Sequence, residues 1–283
     1  MSEPSGVGVR VDVMLTAELS IPRAYVYRAD GGLPRRLWHA LRPGADTLDS
    51  PCIAYAVRHP TAGTILIDTG MHPDASDNLR RDFGVGMALM FRSMRPARQS
   101  YDVQLRELGI EPAEVKSVIM THLHVDHTSG MRLLPNAQFT CSREEWQAAS
   151  GKRLGVAKGY VARHLPTAAR MRLLDFDRDG EPYETFAKTI DLLGDGSLRL
   201  IFTPGHTVGH MSMLVRTSDG REVLVVGDAA YTLRNIREQT LPMLSDDDNV
   251  SLLSLAEIDA FARAHPEAIL VPSHDPEAWK ALG

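Results

Sequence analysis

The segment THLHVDH, residues 121–127, constrains what this chain can fold into more than any other stretch. Four of its side chains are common metal ligands, and they follow an apolar run, SVIMT, that is typical of a short buried strand. In an extended loop alternate residues point the same way, so His122 and His124 can meet one ion. Asp126 and His127 are adjacent and diverge, which favours two neighbouring ions over one.

A single histidine is more often a core or surface residue than a metal ligand, but four ligand-type groups in this one segment reverse that expectation. Without partners, these groups would be expensive to bury together in one loop. Imidazole and carboxylate ligands suit zinc, and also iron, cobalt or manganese. The segment therefore predicts a metal site, with zinc as the first choice.

Three later segments share one pattern, in which a strand-like run ends on a turn that carries a ligand-type side chain. The run LRLIFTPGH ends on His206, EVLVVGD ends on Asp228, and AILVPSH ends on His274. Ligands placed at strand ends by Gly and Pro turns are what a rigid site requires. A carboxylate can bridge two ions, and Asp228 is the candidate for that role. His210 lies in the same turn as His206 and could support a ligand by hydrogen bonding.

Strand-like runs alternate with helical patterns along the chain, with no fixed-period repeat and no linker. Composition and turn residues predict strands over residues 9–15, 24–28, 53–58, 64–68, 117–121, 198–203, 211–216, 222–226 and 268–271, with a hairpin turn at 59–63. Apolar spacing and end signals predict helices over residues 77–94, 101–108 and 251–265, and from 142 onward. Ser142 with Glu145 matches a capping box. We expect one domain, residues 1–283, with helices covering sheets.

At the metal-ligand residues the chain resembles the metallo-β-lactamase superfamily, whose signature His-x-His-x-Asp-His is followed by an isolated His, Asp and His. The resemblance runs from about residue 53 to residue 274. It implies an α/β (α+β) fold, a four-layer αβ/βα sandwich with the metals at one edge between the sheets. It also implies the ligand sets of two divalent ions: His122, His124 and His206 for one, Asp126, His127 and His274 for the other, and Asp228 bridging them.

Two further residues take their roles from this resemblance. Asp68, in the segment LIDTG, matches the superfamily's early aspartate, which supports the metal ligands by hydrogen bonding. The segment GDAAYT, residues 227–232, is similar to that of N-acyl homoserine lactonases, in which a tyrosine three residues after the bridging aspartate reaches the substrate carbonyl. Tyr231 stands at that place; without the resemblance, it would be interpreted as a core tyrosine.

The resemblance implies a dinuclear metal-dependent hydrolase that opens a lactone ring, first of all an N-acyl homoserine lactone, and so acts in quorum quenching. The predicted reaction is attack of a metal-bridging hydroxide on the carbonyl carbon. Tyr231 would stabilise the oxyanion, and Asp126 would pass a proton to the leaving alkoxide. The predicted catalytic residues are therefore Asp126 and Tyr231.

Other functions stay open on the same scaffold. A thioesterase of the glyoxalase II kind or a hydrolase of another small lactone are the main alternatives, and Tyr231 favours the lactonase. The presence of Asp228 disfavours a β-lactamase, and the acidic chain disfavours a phosphodiesterase or nuclease. A non-catalytic metal- or lipid-binding protein is the alternative from another class, because fold alone does not prove function.

Charge and composition limit the kinds of binding partner that we expect for this chain. The chain has 283 residues, a formal net charge of −5 and a pI near 6.1, which gives no electrostatic footprint for nucleic acid. No apolar run approaches about 18 residues and the first residues lack signal-peptide features, so we expect no membrane partner and a cytoplasmic location. Cys52 and Cys141 are predicted to be buried thiols. Whether the protein is a homodimer stays open.

Two segments have no assigned role, residues 77–100 and the basic segment 150–170. The N-terminal stretch and residues 150–170 match no recognised pattern, and these two regions are expected to shape the substrate pocket. In residues 77–100, Phe83, Met87, Met90, Phe91 and Met94 recur at helical spacing. These side chains could form a wall or lid for an acyl chain. An ordinary amphipathic helix packed against the core, or a dimer contact, is the preferred interpretation.

Overall fold

Two β-sheets lie face to face in the computed structural model, which describes residues 9–42, 44–151 and 158–282. The first sheet contains β1 (Arg10–Pro22), β2 (Thr47–His59), β3 (Gly63–Ile67), β4 (Arg95–Pro96), β5 (Ser117–Ile119), β6 (Gln138–Ser142) and β7 (Met171–Leu174). The second contains β8 (Glu181–Tyr183), β9 (Phe186–Asp191), β10 (Leu198–Phe202), β11 (Met211–Arg216), β12 (Glu222–Gly227) and β13 (Ile269–Pro272). Their strand orders are β4-β1-β2-β3-β5-β6-β7 and β13-β12-β11-β10-β9-β8.

Eleven helices in the described part of the chain flank or connect the strands of the two sheets. They are α1 (Arg23–Val26), α2 (Leu33–Leu41), α3 (Pro73–Asp77), α4 (Leu79–Phe83), α5 (Val85–Met90), α6 (Tyr101–Glu107), α7 (Val125–Thr128), α8 (Arg143–Ser150), α9 (Phe176–Asp179), α10 (Leu233–Glu238) and α11 (Asp248–Ala264). Short 3-10 turns include Pro112–Glu114, Ser129–Leu133, Ala168–Arg170 and Ala278–Leu282. Within the part of the chain that the structure describes, no helix is both long and apolar enough to cross a membrane.

Side-chain alternation along the strands builds the layers. In β2, Ile53 and Tyr55 enter the apolar cluster between the two sheets, whereas Ala54 and Ala56 face the cluster under α6. On the far side of the second sheet, Leu224 and its neighbours pack against α10 and α11. The order helix, sheet, sheet, helix confirms the predicted four-layer αβ/βα sandwich.

The hairpin prediction is also confirmed, because β2 and β3 pair antiparallel from His59↔Gly63 onward. Beyond it the topology changes, since β3, β5, β6 and β7 pair in parallel. The carboxyl ends of these parallel strands, where ligands usually collect in α/β proteins, meet at one edge of the sheet.

The predicted strand over residues 24–28 is wrong. β1 runs on to Pro22, and the chain then turns through α1 instead of starting another strand. The β-branched and aromatic composition of this segment is typical of a strand, but its backbone does not pair with a sheet. Its side chains pack toward the segment after β12, to which α1 is hydrogen-bonded.

The predicted helix over residues 77–94 is divided into α3, α4 and α5. Asn78 caps α4 by accepting a hydrogen bond from the Arg81 amide, and Gly84, with a φ of 80°, separates α4 from α5. Phe83 and Met87 are buried in a cluster with β1 and β2, and Phe91 and Met94 pack against it. These four contacts agree with the preferred core interpretation. The Met90 side chain lies outside the described part.

Two smaller predictions can be followed in the structure. Cys52 and Cys141 are free and buried, as expected. Of the basic segment 150–170, residues 152–157 lie outside the described residues, and the remainder returns to the metal-ligand loop through Gly159, whose carbonyl accepts a hydrogen bond from the Val125 amide.

Candidate metal centre

The seven predicted ligands come together at one edge of the sandwich. The loop after β5 leads into α7 and supplies the first four, and the turns after β10, β12 and β13 supply the others. Three groups have ligand atoms that lie within 4.8 Å of one another: His122 with His124 and His206, His122 with His127 and Asp228, and Asp126 with His127 and His274. The segments are distant in sequence, so their convergence is a property of the fold.

Asp228 lies at the middle of the cluster. Its Oδ2 is 3.4 Å from His206 Nε2 and 3.3 Å from His274 Nε2, and its Oδ1 is 3.3 Å from His127 Nε2. One carboxylate therefore contacts histidines of both predicted ligand sets. This is the geometry that a bridging ligand needs.

The first predicted set consists of His122, His124 and His206. His206 Nε2 lies 3.0 Å from His124 Nδ1, so two ring nitrogens converge on one point. Burial lowers the pKa of His124, and it lowers the pKa of His122 and of His206 well below the ordinary value. Neutral imidazoles with their lone pairs directed inward are the form that binds a metal.

The second predicted set consists of Asp126, His127 and His274. Asp126 Oδ2 is 3.9 Å from His127 Nε2 and 3.7 Å from His274 Nε2, and all three residues are buried. Burial opposes protonation of His127, yet nearby carboxylates, with Asp68 foremost, raise its pKa well above the ordinary value. The set therefore has a negative electrostatic environment that favours a cation.

Hydrogen bonds orient these ligands from behind. Asp68 follows β3 with a φ of 55°, and its Oδ2 lies 2.8 Å from His127 Nδ1. The same carboxylate accepts hydrogen bonds from the Thr121 amide at 2.8 Å and from its hydroxyl at 2.7 Å. His274 Nδ1 donates to the Pro51 carbonyl at 3.0 Å. Bonds at Nδ1 leave Nε2 free for an ion, as in metal sites generally.

His210 supports Asp228 by a hydrogen bond, which agrees with the role considered for it from the sequence. Its Nε2 accepts a hydrogen bond from the Asp228 amide at 2.9 Å, and its Nδ1 lies 2.9 Å from the Thr203 hydroxyl. Burial lowers the pKa of His210 to about 3, so Nε2 remains an acceptor at neutral pH. Gly227 is required here, because a Cβ at that residue would lie 2.6 Å from the His210 ring.

The residues present fit divalent cations. His122 Nε2 and Asp228 Oδ1 are buried and have no hydrogen-bond partner among the described residues. Buried polar atoms of this kind are costly unless something else satisfies them. Both atoms face the centre of the cluster, and their nitrogen and oxygen chemistry is that of zinc and related metals.

Tyr231 lies beside this centre. Its ring centroid is 4.9 Å from that of His274 and 5.7 Å from that of His206. The side chain is buried, and burial raises the pKa of its hydroxyl well above the ordinary value. Tyr231 is therefore a hydrogen-bond donor at neutral pH.

Glu145 supports the loop that carries His122 and His124, a role that the sequence did not indicate. The Ser142 hydroxyl accepts a hydrogen bond from the Glu145 amide, which is half of the predicted capping box. The other half is wrong, because the Glu145 carboxylate accepts a hydrogen bond from the Leu123 amide at 2.8 Å. It thereby holds the loop between His122 and His124. A serine followed three residues later by a glutamate can form a capping box, or the glutamate side chain can bind a different segment. Spacing alone does not distinguish these two arrangements.

The Glu145 carboxyl predicts a pH-dependent stability. Its burial raises the pKa from an ordinary value of 4.5 to about 6, so the unfolded chain ionises first as the pH rises. The free energy of unfolding should then fall by up to about 2 kcal/mol between pH 4.5 and pH 6. We expect Glu145→Gln to gain about that much stability relative to the wild type between pH 4.5 and pH 7, measured by denaturant unfolding.

Both proteins are measured at one fixed zinc concentration, so that the titration of other groups cancels in the comparison. The same stability difference at both pH values would contradict the prediction.

The chain is similar to known proteins in sequence and in fold. The family model of the metallo-beta-lactamase superfamily matches residues 48–274. The N-acyl homoserine lactonase AttM of Rhizobium radiobacter is 32% identical over 240 residues, which cover 83% of this chain and 86% of that protein.

Two solved structures share the fold. One is an N-acyl homoserine lactone hydrolase with the product N-hexanoyl-L-homoserine bound at its catalytic metal centre, with a TM-score of 0.71, 22% identity and coverage of 98% and 96%. The other is AidC, a dizinc quorum-quenching lactonase, with a TM-score of 0.62, 14% identity and coverage of 97% and 90%. The family match spans most of the chain and includes all seven clustered side chains, and the chain belongs to the metallo-β-lactamase superfamily.

Proposed function

We propose that this protein is a metal-dependent lactonase that hydrolyses N-acyl homoserine lactones. The observation that carries the proposal is the position of Tyr231, a protonated phenol packed 4.9 Å from His274 at the edge of the clustered ligands. Relatives that are N-acyl homoserine lactonases support the same substrate class.

The superfamily implies divalent metal ions, and we propose two, with zinc as the first choice and iron, cobalt or manganese as alternatives. His122, His124 and His206 would hold one ion. Asp126, His127 and His274 would hold the other, with Asp228 shared between them. When bound, the ions would supply Lewis acidity and lower the pKa of water.

Tyr231 would bind the lactone carbonyl. Its hydroxyl remains protonated at neutral pH, so it can donate a hydrogen bond to the carbonyl oxygen. Negative charge develops on that oxygen as the carbonyl carbon becomes tetrahedral, and the hydrogen bond strengthens accordingly. The ring is held by its contacts with His206 and His274, so the position of the phenol oxygen is fixed before the substrate arrives.

Asp126 would handle the proton that ring opening requires. Its carboxylate is 9% exposed and lies 3.9 Å from His127 Nε2 and 3.7 Å from His274 Nε2. It would accept on a carboxylate oxygen the proton lost by the water that adds to the carbonyl carbon, and would transfer it to the alkoxide that leaves as the ring C–O bond breaks. The product is the open-chain hydroxy acid.

The test is acid release from N-acyl homoserine lactones of short and long chain. Zinc- or cobalt-loaded protein is compared with a metal-stripped control, and a thioester, an unrelated small lactone and a β-lactam are assayed in parallel. We expect rapid, metal-dependent opening of the N-acyl homoserine lactones. Turnover of the thioester or of the small lactone alone by fully metallated protein would overturn the substrate assignment.

A further inference from the structure

We propose that Tyr25 is a second phenol of the active site, which positions the Tyr231 hydroxyl for the lactone carbonyl. The inference rests on the proposed function. Tyr25 belongs to α1, in the segment that was wrongly predicted to be a strand, and neither its spacing nor its neighbours in sequence connect it with the metal ligands.

The two tyrosine rings are stacked. Their centroids are 6.3 Å apart and their planes differ by 28°, with Tyr25 half-buried and Tyr231 buried. Tyr25 thus stacks on the ring that contacts His206 and His274.

The backbone around Tyr25 is tied to the segment that follows Tyr231. The Tyr25 carbonyl accepts a hydrogen bond from the Met243 amide at 2.7 Å, and the Val26 carbonyl accepts one from Asn235 Nδ2 at 3.0 Å. Asn235 also completes the capping box at the start of α10, immediately after Tyr231. The pair is therefore held by bonds within the protein itself, independent of any metal.

The pKa values of the two hydroxyl groups depend on each other. Burial is the largest cause of the raised pKa in both residues, and it brings that of Tyr25 to about 12. A hydrogen bond in which Tyr231 donates to Tyr25 further raises the pKa of Tyr231 and lowers that of Tyr25. Both phenols are therefore protonated at neutral pH, and between them they offer two donors.

This arrangement gives Tyr25 a defined task. Before substrate binds, Tyr231 donates to Tyr25, which fixes the direction of its hydroxyl. When the lactone carbonyl takes that hydrogen bond, Tyr25 can donate to the Tyr231 oxygen instead, and a donor that itself accepts a hydrogen bond is strengthened. Tyr25 acts through Tyr231 and is a positioning residue.

The experiment is a double-mutant cycle with Tyr25→Phe, Tyr231→Phe and the double variant, in zinc-loaded protein. One neutral hydrogen bond predicts a decrease in kcat of about tenfold for Tyr25→Phe, with KM changed less than about twofold. In the Tyr231→Phe background the same change should have no further effect. Independent, multiplying losses would mean that Tyr25 contributes only to structure and would overturn the inference.

Tyr27→Phe is the matched control. Tyr27 lies next to α1, but its hydroxyl pairs with Thr232 Oγ1 at 3.1 Å and not with Tyr231. We expect its kcat to stay within about twofold of the wild type, because Met243 and Asn235 still hold α1 in place. An equal loss in Tyr27→Phe and Tyr25→Phe would overturn the specific role of Tyr25.

A second readout does not depend on activity. In protein labelled with 3-fluorotyrosine, the ¹⁹F signal of Tyr231 is assigned by its loss in Tyr231→Phe. That signal should shift in Tyr25→Phe and keep its position in Tyr27→Phe; an unchanged signal in Tyr25→Phe would overturn the contact. A wild type that opens no lactone would overturn the proposed function, whereas an active wild type with an unaffected Tyr25→Phe would overturn only the role of Tyr25.

Discussion

Asp228→Asn is expected to lower kcat/KM for lactone opening by about 1,000-fold or more, the upper range for loss of one electrostatic group at a reacting centre. Asp228 contacts His206 and His274 through Oδ2 and His127 through Oδ1. Asparagine retains one oxygen but places an NH₂ group where the other lone pairs were. It also removes the central negative charge, so both proposed ions lose a ligand.

Metal content measured by mass spectrometry should fall by at least half together with the activity. Asp275→Asn is the matched control, because Asp275 is also buried and lies next to His274 in the sequence. Its carboxylate accepts hydrogen bonds from backbone amides instead, such as that of Leu233 at 2.9 Å. Its metal content should be that of the wild type. An Asp228→Asn protein that keeps two ions and full activity would contradict the bridging assignment.

Tyr231→Phe is expected to lower kcat for N-acyl homoserine lactones by about 100-fold, the lower range for removal of one oxyanion donor. Phenylalanine retains the ring contacts with His206 and His274, so metal content should not change. The lost hydrogen bond forms mainly as charge develops on the carbonyl oxygen. For that reason kcat should fall far more than KM rises.

Tyr101→Phe provides the comparison for Tyr231→Phe. Tyr101 is a fully buried tyrosine of α6 in the cluster under the first sheet, and its hydroxyl has no hydrogen-bond partner among the described residues. Removing that hydroxyl changes the core without touching the site, so kcat should remain that of the wild type. Equal losses in the two variants would mean that the Tyr231 effect is structural.

Predictions that rested on turn residues and on the spacing of the ligand-type side chains were the most accurate. The turn at residues 59–63 joins two strands as expected, and α6 ends just before Gly109, which has a φ of 72°. The four side chains of the segment 121–127 lie in one cluster because a strand end followed by one turn of helix fixes their relative directions. Backbone geometry links neighbours in sequence, so such patterns can be interpreted without the fold.

Predictions about which segments pair in a sheet, and about how far a helix continues, were less accurate. The segment 24–28 has the composition of a strand, yet most of it lies in α1, and its backbone bonds to the segment after Tyr231 instead of to a strand. The predicted helix over residues 77–94 is broken at Asn78 and Gly84. The single domain, the cytoplasmic location, the absence of nucleic-acid and membrane partners and the oligomeric state remain predictions.

The sequence by itself determined which side chains are of the ligand type, that most of them stand at strand ends, and that a tyrosine follows the central aspartate. Tertiary structure alone decided what surrounds them. Asp68 reaches His127, Glu145 holds the Leu123 amide, and Tyr25 stacks on Tyr231. Each of these contacts joins segments that only the packing of sheets and helices brings together, and a local pattern of residues has no information about a partner that is distant along the chain.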